Sequence, residues 1–153
     1  MKSELKEKMI KVRNSSRAAK ETNDCALYSA ALAFDIDYSD FRTLINGLGR
    51  RHGDGTRMSL WYRAVELLGK KFTRVTEHFM MVDEPGFRSG VKTVGSFLRY
   101  VNHKRHAKDR GRKTYVIVTT THMTVVRDGY LLDTGYCREG SRAKIHAVYQ
   151  VCR

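Results

Sequence analysis

The spacing of apolar residues divides the chain into a helical first part and a strand-rich last part. Trp61, Val65 and Leu68 recur at intervals of three and four residues, which is the period of an amphipathic helix. From Tyr115 onward, β-branched and aromatic residues form short runs that are typical of strands. Because the helices come first and the strands follow, the pattern predicts an α+β domain with an antiparallel sheet.

One run in the helical part is apolar on all sides. Residues 25–34 contain no charged side chain and no single polar face, which predicts a helix buried in the core. The residues before it, Thr22, Asn23 and Asp24, can all cap a helix N-terminus. We therefore expect Cys25 in the first turn of a core helix, where unpaired backbone N–H groups and the helix dipole stabilise a thiolate.

Further elements follow from the same patterns. The first twenty residues carry a weak apolar stripe and predict a basic surface helix, which we expect the polar residues 14–16 to interrupt. Ser39 is a candidate cap for a helix that ends near Gly47 or Gly49. The remaining predictions are strands at 72–75, 79–82 and 144–151, a helix around 94–101 and a solvated basic loop at 102–113.

The strongest local signal is the pair Asp128-Gly129, which is typical of a two-residue turn in a β-hairpin. Such a turn sets the register of the two strands, with Arg127 opposite Tyr130. His122 and Asp133 then share one face of the sheet, offset diagonally by roughly 7–8 Å between their Cα atoms. That separation allows a hydrogen bond between their side chains.

Cys25, His122 and Asp133 have the residue types of a nucleophilic triad. A carboxylate that holds one imidazole nitrogen leaves the other nitrogen to activate a thiol for attack on a carbonyl. Unpaired N–H groups at the start of the helix can accept the negative oxygen of the tetrahedral intermediate. Two plainer interpretations stay open: Cys25 as a small buried core residue, and His122 with Asp133 as an ordinary hydrogen-bonded pair.

Three segments of the chain together carry a family resemblance. They are residues 23–33, Asn-Asp-Cys-Ala-Leu-Tyr-Ser-Ala-Ala-Leu-Ala; residues 53–56, Gly-Asp-Gly-Thr, with the helix after them; and residues 121–133. These segments resemble papain-like cysteine peptidases of the bacteriocin double-glycine leader-peptidase type. In order, they are similar to the family's nucleophile segment, to its glycine-threonine turn and next helix, and to its His-x-x-Val-Val strand with the strand that ends in the triad aspartate. The chain also resembles short phage and plasmid open reading frames with an Asn-Asp-Cys segment.

The resemblance implies a papain-like fold, in which a buried N-terminal helix carrying the cysteine packs on a C-terminal antiparallel sheet. Residues 1–20 would be a basic helix or extension, and residues 21–153 a single hydrolase domain. It also implies a cofactor-free peptidase or isopeptidase that acts on a protein or peptide, with Cys25 as nucleophile, His122 as base and Asp133 as orienter. Acyl transfer and glutamine deamidation share the same thioester step.

The chain departs from this family at the oxyanion hole. The family places a glutamine six residues before the cysteine, and this chain has Ala19 there. Asn23 or Lys20 is a candidate replacement for that side-chain donor. The departure leaves an alternative function open, in which an inactive papain-like fold serves as a basic nucleic-acid- or protein-binding module.

Composition adds a strong positive charge to this picture. The chain has 29 Lys and Arg against 16 Asp and Glu, a formal charge of +13, which attracts polyanions without sequence specificity. The basic segment 102–113 precedes the His122 strand, so it is a candidate surface for an acidic substrate or nonspecific nucleic acid. Its candidate binding residues are Lys104, Arg105, Arg110 and Arg112.

The remaining signals concern metals and compartments. The three cysteines form no Cys-x-x-Cys pair, which argues against a disulfide framework or a structural zinc site. His103 and His106 lie among basic residues, and no metal is expected there. The chain has neither a signal-peptide pattern nor an apolar run long enough to span a membrane. We therefore expect a cytoplasmic protein, in the host cytoplasm if a phage encodes it.

Overall fold

The structure, a computed structural model, describes residues 1–133 and 141–152. The chain packs as two compact units, Met1–Lys71 and Phe72–Cys152. Helices dominate the first unit, and the second carries an antiparallel sheet with further helices. The predicted α+β class is therefore confirmed.

Four helices form the first unit: α1 (Ser3–Ala18), α2 (Cys25–Phe34), α3 (Tyr38–Gly47) and α4 (Met58–Leu67). Helix α2 has the predicted bounds and contacts both α1 and α3, because a helix without a polar face is stable only when neighbours cover it. Trp61 of α4 is fully buried, and its indole N–H donates to the carbonyl oxygen of Ala26 at 3.0 Å. That hydrogen bond ties α4 to the first turn of α2.

The second unit contains the sheet and two helices. Its elements are β1 (Lys71–Arg74), α5 (Thr76–Met80), α6 (Val94–Asn102), β2 (Thr114–Val118), β3 (Met123–Arg127), β4 (Tyr130–Leu132) and β5 (Ala147–Cys152), with a 3-10 turn at Arg110–Arg112. The strand order is β1-β5-β2-β3-β4, and β2 runs antiparallel to both β3 and β5. The rings of Phe79, Phe97 and Tyr115 pack together in its core, with centroids 4.7–5.6 Å apart.

The predicted hairpin is confirmed, with Arg127 opposite Tyr130 in the register of β3 and β4. Asp128 and Gly129 have φ values of 51° and 79°, as a two-residue turn of this type requires. A Cβ atom at Gly129 would lie 2.3 Å from the side-chain oxygen of Asn102, so that side chain would have to move. This hairpin fixes the positions of the residues at its open end.

Four local predictions are wrong or incomplete. Helix α3 begins at Tyr38 and is capped by Asp37 and not by Ser39, because the Asp37 side chain accepts from the backbone N–H of Asp40. Helix α1 is not interrupted at residues 14–16 but runs to Ala18, because Ser16 lies on its buried face and its hydroxyl donates to Asp24. The expected strand at 79–82 does not form: its first two residues end helix α5, and its last two lie after that helix, since so short an apolar run carries no period that separates helix from strand. The basic segment 102–113 is only partly solvated, since Gly111 within it is buried.

Candidate active site

The segment before Cys25 leaves the start of α2 uncapped. Asp24 is the N-cap residue, but its side chain makes no capping hydrogen bond. One oxygen of its buried carboxylate instead accepts from the hydroxyls of Ser16 and Tyr38, each at 2.6 Å. Burial, and after it the hydrogen bond to Asp24, raises the pKa of Tyr38 well above its usual value of 10. Asp24 thus anchors the start of α2 to α1 and α3.

As a consequence, two backbone N–H donors lie open at Cys25. Leu27 and Tyr28 donate their N–H groups to the carbonyl oxygen of Asp24. The N–H groups of Cys25 and Ala26 have no hydrogen-bond partner within the described part of the chain. Unpaired N–H groups at a helix start attract negative charge. The arrangement can therefore stabilise a thiolate or a developing oxyanion at Cys25.

His122 and Asp133 lie together at the open end of the hairpin in the second unit. The Nε2 atom of His122 is 2.8 Å from Oδ2 of Asp133, and both side chains are largely buried. The hydrogen bond that the hairpin register predicted is therefore present. An ionised carboxylate only accepts, so in the neutral ring the proton lies on Nε2 and Nδ1 is the basic nitrogen.

The backbone of His122 is fixed by the turn between β2 and β3. Its carbonyl oxygen accepts from the backbone N–H of Thr119 at 2.8 Å and from the hydroxyl of Thr119 at 3.2 Å. These two hydrogen bonds hold the backbone that carries the imidazole ring in a fixed turn. A histidine held in this way would lose little freedom on taking up a proton.

A buried carboxylate that the sequence pattern did not reveal lies four residues before Cys25. Glu21 accepts from Arg50 at 2.9 and 3.0 Å, from Arg42 at 2.6 Å and from the backbone N–H of Gly53 at 2.8 Å. The side chains of Glu21 and Arg50 are fully buried. Burial alone would raise the pKa of Glu21, but the hydrogen bonds from Arg50, Arg42 and Gly53 outweigh it and lower the pKa to about 2.

The two candidate oxyanion donors have different surroundings. The side-chain nitrogen of Asn23 donates to the carbonyl oxygen of Gly53 at 3.0 Å, and its backbone adopts a left-handed conformation with φ of 53°. Lys20 is exposed at the end of α1, and its side chain forms no hydrogen bond or ion pair among residues 1–133 and 141–152. Asn23 is thus held in place, whereas Lys20 is not.

The four candidate polyanion-binding residues fall into two pairs. Arg105 donates to the carbonyl oxygen of Pro85 at 2.9 Å, and the guanidinium of Arg110 lies 5.4 Å from the ring centre of Phe79. Lys104 and Arg112 are exposed, and their side chains bond to nothing else that the structure describes. The fold therefore uses two of these cations and leaves two to solvent.

Cys25 is half-buried, whereas Cys152 is exposed, and Cys137 lies outside the described residues. No cluster of three or more His, Cys, Asp or Glu side chains suited to a metal occurs within 1–133 and 141–152. In those same ranges, every helix is too short or too polar to cross a bilayer. Comparison of the chain with known family models, curated proteins and solved structures gives no match.

Proposed function

We propose that the protein is a thiol-dependent hydrolase of a peptide or isopeptide bond, with Cys25 as nucleophile, His122 as base and Asp133 as orienter. The observation that carries the proposal is the 2.8 Å hydrogen bond between His122 and Asp133. Open N–H groups at the first turn of the cysteine-bearing helix support it from the other unit. The papain-like fold implied by the three sequence segments belongs to the same proposal.

The chemistry assigned to each residue is as follows. Nδ1 of His122 takes the thiol proton, and the Cys25 sulfur attacks the carbonyl carbon of the substrate. The N–H groups of Cys25 and Ala26 stabilise the negative oxygen, and the imidazolium returns its proton to the leaving amine. Asp133 holds the ring and stabilises its charged form. Water then cleaves the thioester, whereas an amine in place of water would give acyl transfer.

Alkylation by iodoacetamide tests the nucleophile. Cys152 is more exposed than Cys25, so an electrophile limited by access alone would modify Cys152 first. We expect Cys25 to react faster than Cys152 and faster than free cysteine at pH 6, where an ordinary thiol is almost fully protonated. Peptide mapping by mass spectrometry assigns the label. Preferential labelling of Cys137 or Cys152, or a Cys25 rate equal to that of free cysteine, would overturn the proposal.

Variants of the base and its orienter test the rest of the triad. His122→Ala should slow alkylation of Cys25 at pH 6 at least tenfold, and Asp133→Asn should slow it less, because the ring remains present. His146→Ala is the matched control, since His146 is an exposed histidine bonded to Thr120 in the same unit. Equal rates in wild type and His122→Ala would remove His122 from the mechanism.

A second candidate function is a basic binding module for nucleic acid or an acidic protein. It is favoured by Lys104 and Arg112, which are exposed cations that the described fold does not engage. Under this alternative, Cys25→Ala would keep the biological effect, and neutralising Lys104, Arg105, Arg110 and Arg112 would remove it. The opposite result would favour the hydrolase.

A further inference from the structure

The segment before Cys25 contains a chain of hydrogen bonds that leads from a buried ion cluster to a surface amide. Glu21 accepts from the N–H of Gly53 at 2.8 Å. The carbonyl oxygen of Gly53 in turn accepts from the side-chain nitrogen of Asn23 at 3.0 Å. Glu21, Gly53 and Asn23 are thus linked in a row, and the row ends two residues before the nucleophile.

We infer that Glu21 is a positioning residue, which acts through Gly53 to hold the Asn23 amide as the side-chain donor of the oxyanion hole. This inference rests on the hydrolase function proposed above. The Asn23 amide would supply the donor that the family glutamine, here Ala19, does not. The amide nitrogen of asparagine carries two hydrogens. One is directed at Gly53, and that hydrogen bond fixes the amide plane and hence the direction of the second hydrogen.

Two features make this row rigid enough for the role. Arg50 and Arg42 hold both oxygens of the Glu21 carboxylate, and the Arg50 side chain is fully buried. Arg50 also donates to the carbonyl oxygen of Asp54 at 3.0 Å, which ties the loop of Gly53 to the same cluster. A side-chain donor that such a row holds in advance costs little reorganisation when an oxyanion forms.

The conformation of Asn23 agrees with this role. Its φ of 53° lies in the left-handed region, which asparagine tolerates better than most residues. Gly53 has a φ of 79°, where a side chain would be strained. Both unusual conformations occur at the two ends of one hydrogen bond, so the bond and the strained turns support each other.

The test compares two reactions of Cys25 that differ in their need for an oxyanion hole. With p-nitrophenyl acetate, the Cys25 sulfur bonds to the acetyl carbon, the carbonyl oxygen carries the transient charge, and the carbon–oxygen bond to p-nitrophenolate breaks. Iodoacetamide alkylation displaces iodide at a saturated carbon and forms no oxyanion. The ratio of the two rates therefore reports the oxyanion hole and not the thiol alone.

We expect Asn23→Ala to lower Cys25 acylation by about 100-fold, with little change in alkylation. Glu21→Gln should lower acylation by about 10- to 100-fold through misplacement of the amide, again with little change in alkylation. Arg42→Gln removes one support of Glu21 from a partly exposed position and should give the same pattern more weakly. Arg42→Gln also tests the role of Glu21 if the Glu21→Gln protein does not fold.

Glu84→Gln is the matched control, because Glu84 is a carboxylate paired with a histidine in the second unit, and both rates should stay at wild-type values. Acylation of Cys25 that is unchanged in Asn23→Ala, or unchanged in the folded Glu21 or Arg42 variant, would overturn this inference alone. A wild-type protein that is not acylated at Cys25 above the Cys25→Ala background would overturn the hydrolase proposal itself.

Discussion

Two clusters of charged residues in this protein have similar compositions and opposite environments. In the first unit, the side chains of Glu21 and Arg50 are fully buried, and both oxygens of the carboxylate are bonded. In the second unit, Glu84 pairs with His106 at 2.8 Å, but its side chain keeps about a third of its surface exposed, at 31%. Each cluster joins one carboxylate to basic groups distant in the sequence.

The difference between the clusters lies in what would replace a missing partner. Water can solvate Glu84 or His106 if the pair is broken, so the pair contributes little net stability. The Glu21 side chain has no exposed surface, and a buried charge left without its partner is strongly destabilising. The first cluster therefore holds the loop of Gly53 and Asp54 in one arrangement, whereas the second cluster is a partly exposed ion pair that water can replace.

Removal of Arg50 should give the largest effect. Arg50→Met keeps the volume but leaves the buried Glu21 without its main partner, and should lower the free energy of unfolding by about 3–5 kcal/mol. Urea denaturation measures this, with Arg88→Met as control. The Arg88–Asp83 pair is well exposed on both sides, so its removal should cost less than about 1 kcal/mol. Equal effects of the two substitutions would contradict the comparison.

The second-largest expected effect is a loss of folding stability in acid, caused by protonation of Glu21. The folded pKa of Glu21 is about 2, below its usual value of 4.5. Its contribution to stability is therefore complete above about pH 4.5 and is lost as the pH falls toward 2. The loss should be on the order of 1–3 kcal/mol.

The measurement is the difference in unfolding free energy between pH 6 and pH 3. This difference should be smaller in Glu21→Gln than in wild type, because the amide does not titrate. Glu77→Gln, at an exposed ion pair with Arg74, should leave the difference unchanged. A Glu21→Gln protein with the wild-type acid response would show that Glu21 is not the titrating group.

The sequence predicted the elements whose signals are local. Helix α2 has the bounds of its uncharged run, and the hairpin register follows from Asp128-Gly129, so the His122–Asp133 hydrogen bond could be expected. Both depend on residues close together along the chain, where periodicity and turn chemistry are informative.

The buried carboxylates could not be predicted in the same way. Glu21 and Asp24 lie in a polar stretch that resembles a surface linker, and their partners Arg50 and Tyr38 are 29 and 14 residues away. Asp24 was expected only as a possible cap, and its carboxylate is instead drawn to Ser16 and Tyr38. Long-range hydrogen bonds of this kind leave no periodic trace in the sequence.

Removal of His106 should have a moderate effect in the second cluster. Its ring stacks on Tyr100 with centroids 4.2 Å apart and bonds to Glu84. His106→Ala should lower the free energy of unfolding by about 1–2 kcal/mol, most of it from the missing ring stacking. Lys108→Ala, at an exposed position nearby, should change it by less than about 0.5 kcal/mol. A decrease as large as that of Arg50→Met would show that the second cluster is not the weaker one.

The smallest expected effect concerns Lys104 and Arg112, the exposed cations of the basic segment 102–113, in the binding of single-stranded DNA. If Lys104 and Arg112 contact phosphates, Lys104→Gln with Arg112→Gln should reduce the slope of log affinity against log salt concentration by about 0.7 for each phosphate that is no longer neutralised. Folding stability should not change, because the described fold does not engage these side chains.

Arg105→Gln with Arg110→Gln is the matched pair, and it should reduce stability, since Arg105 bonds to Pro85 and Arg110 lies over Phe79. An unchanged slope in the first pair, or equal decreases in stability in both, would show that the division of these four cations between fold and solvent is wrong.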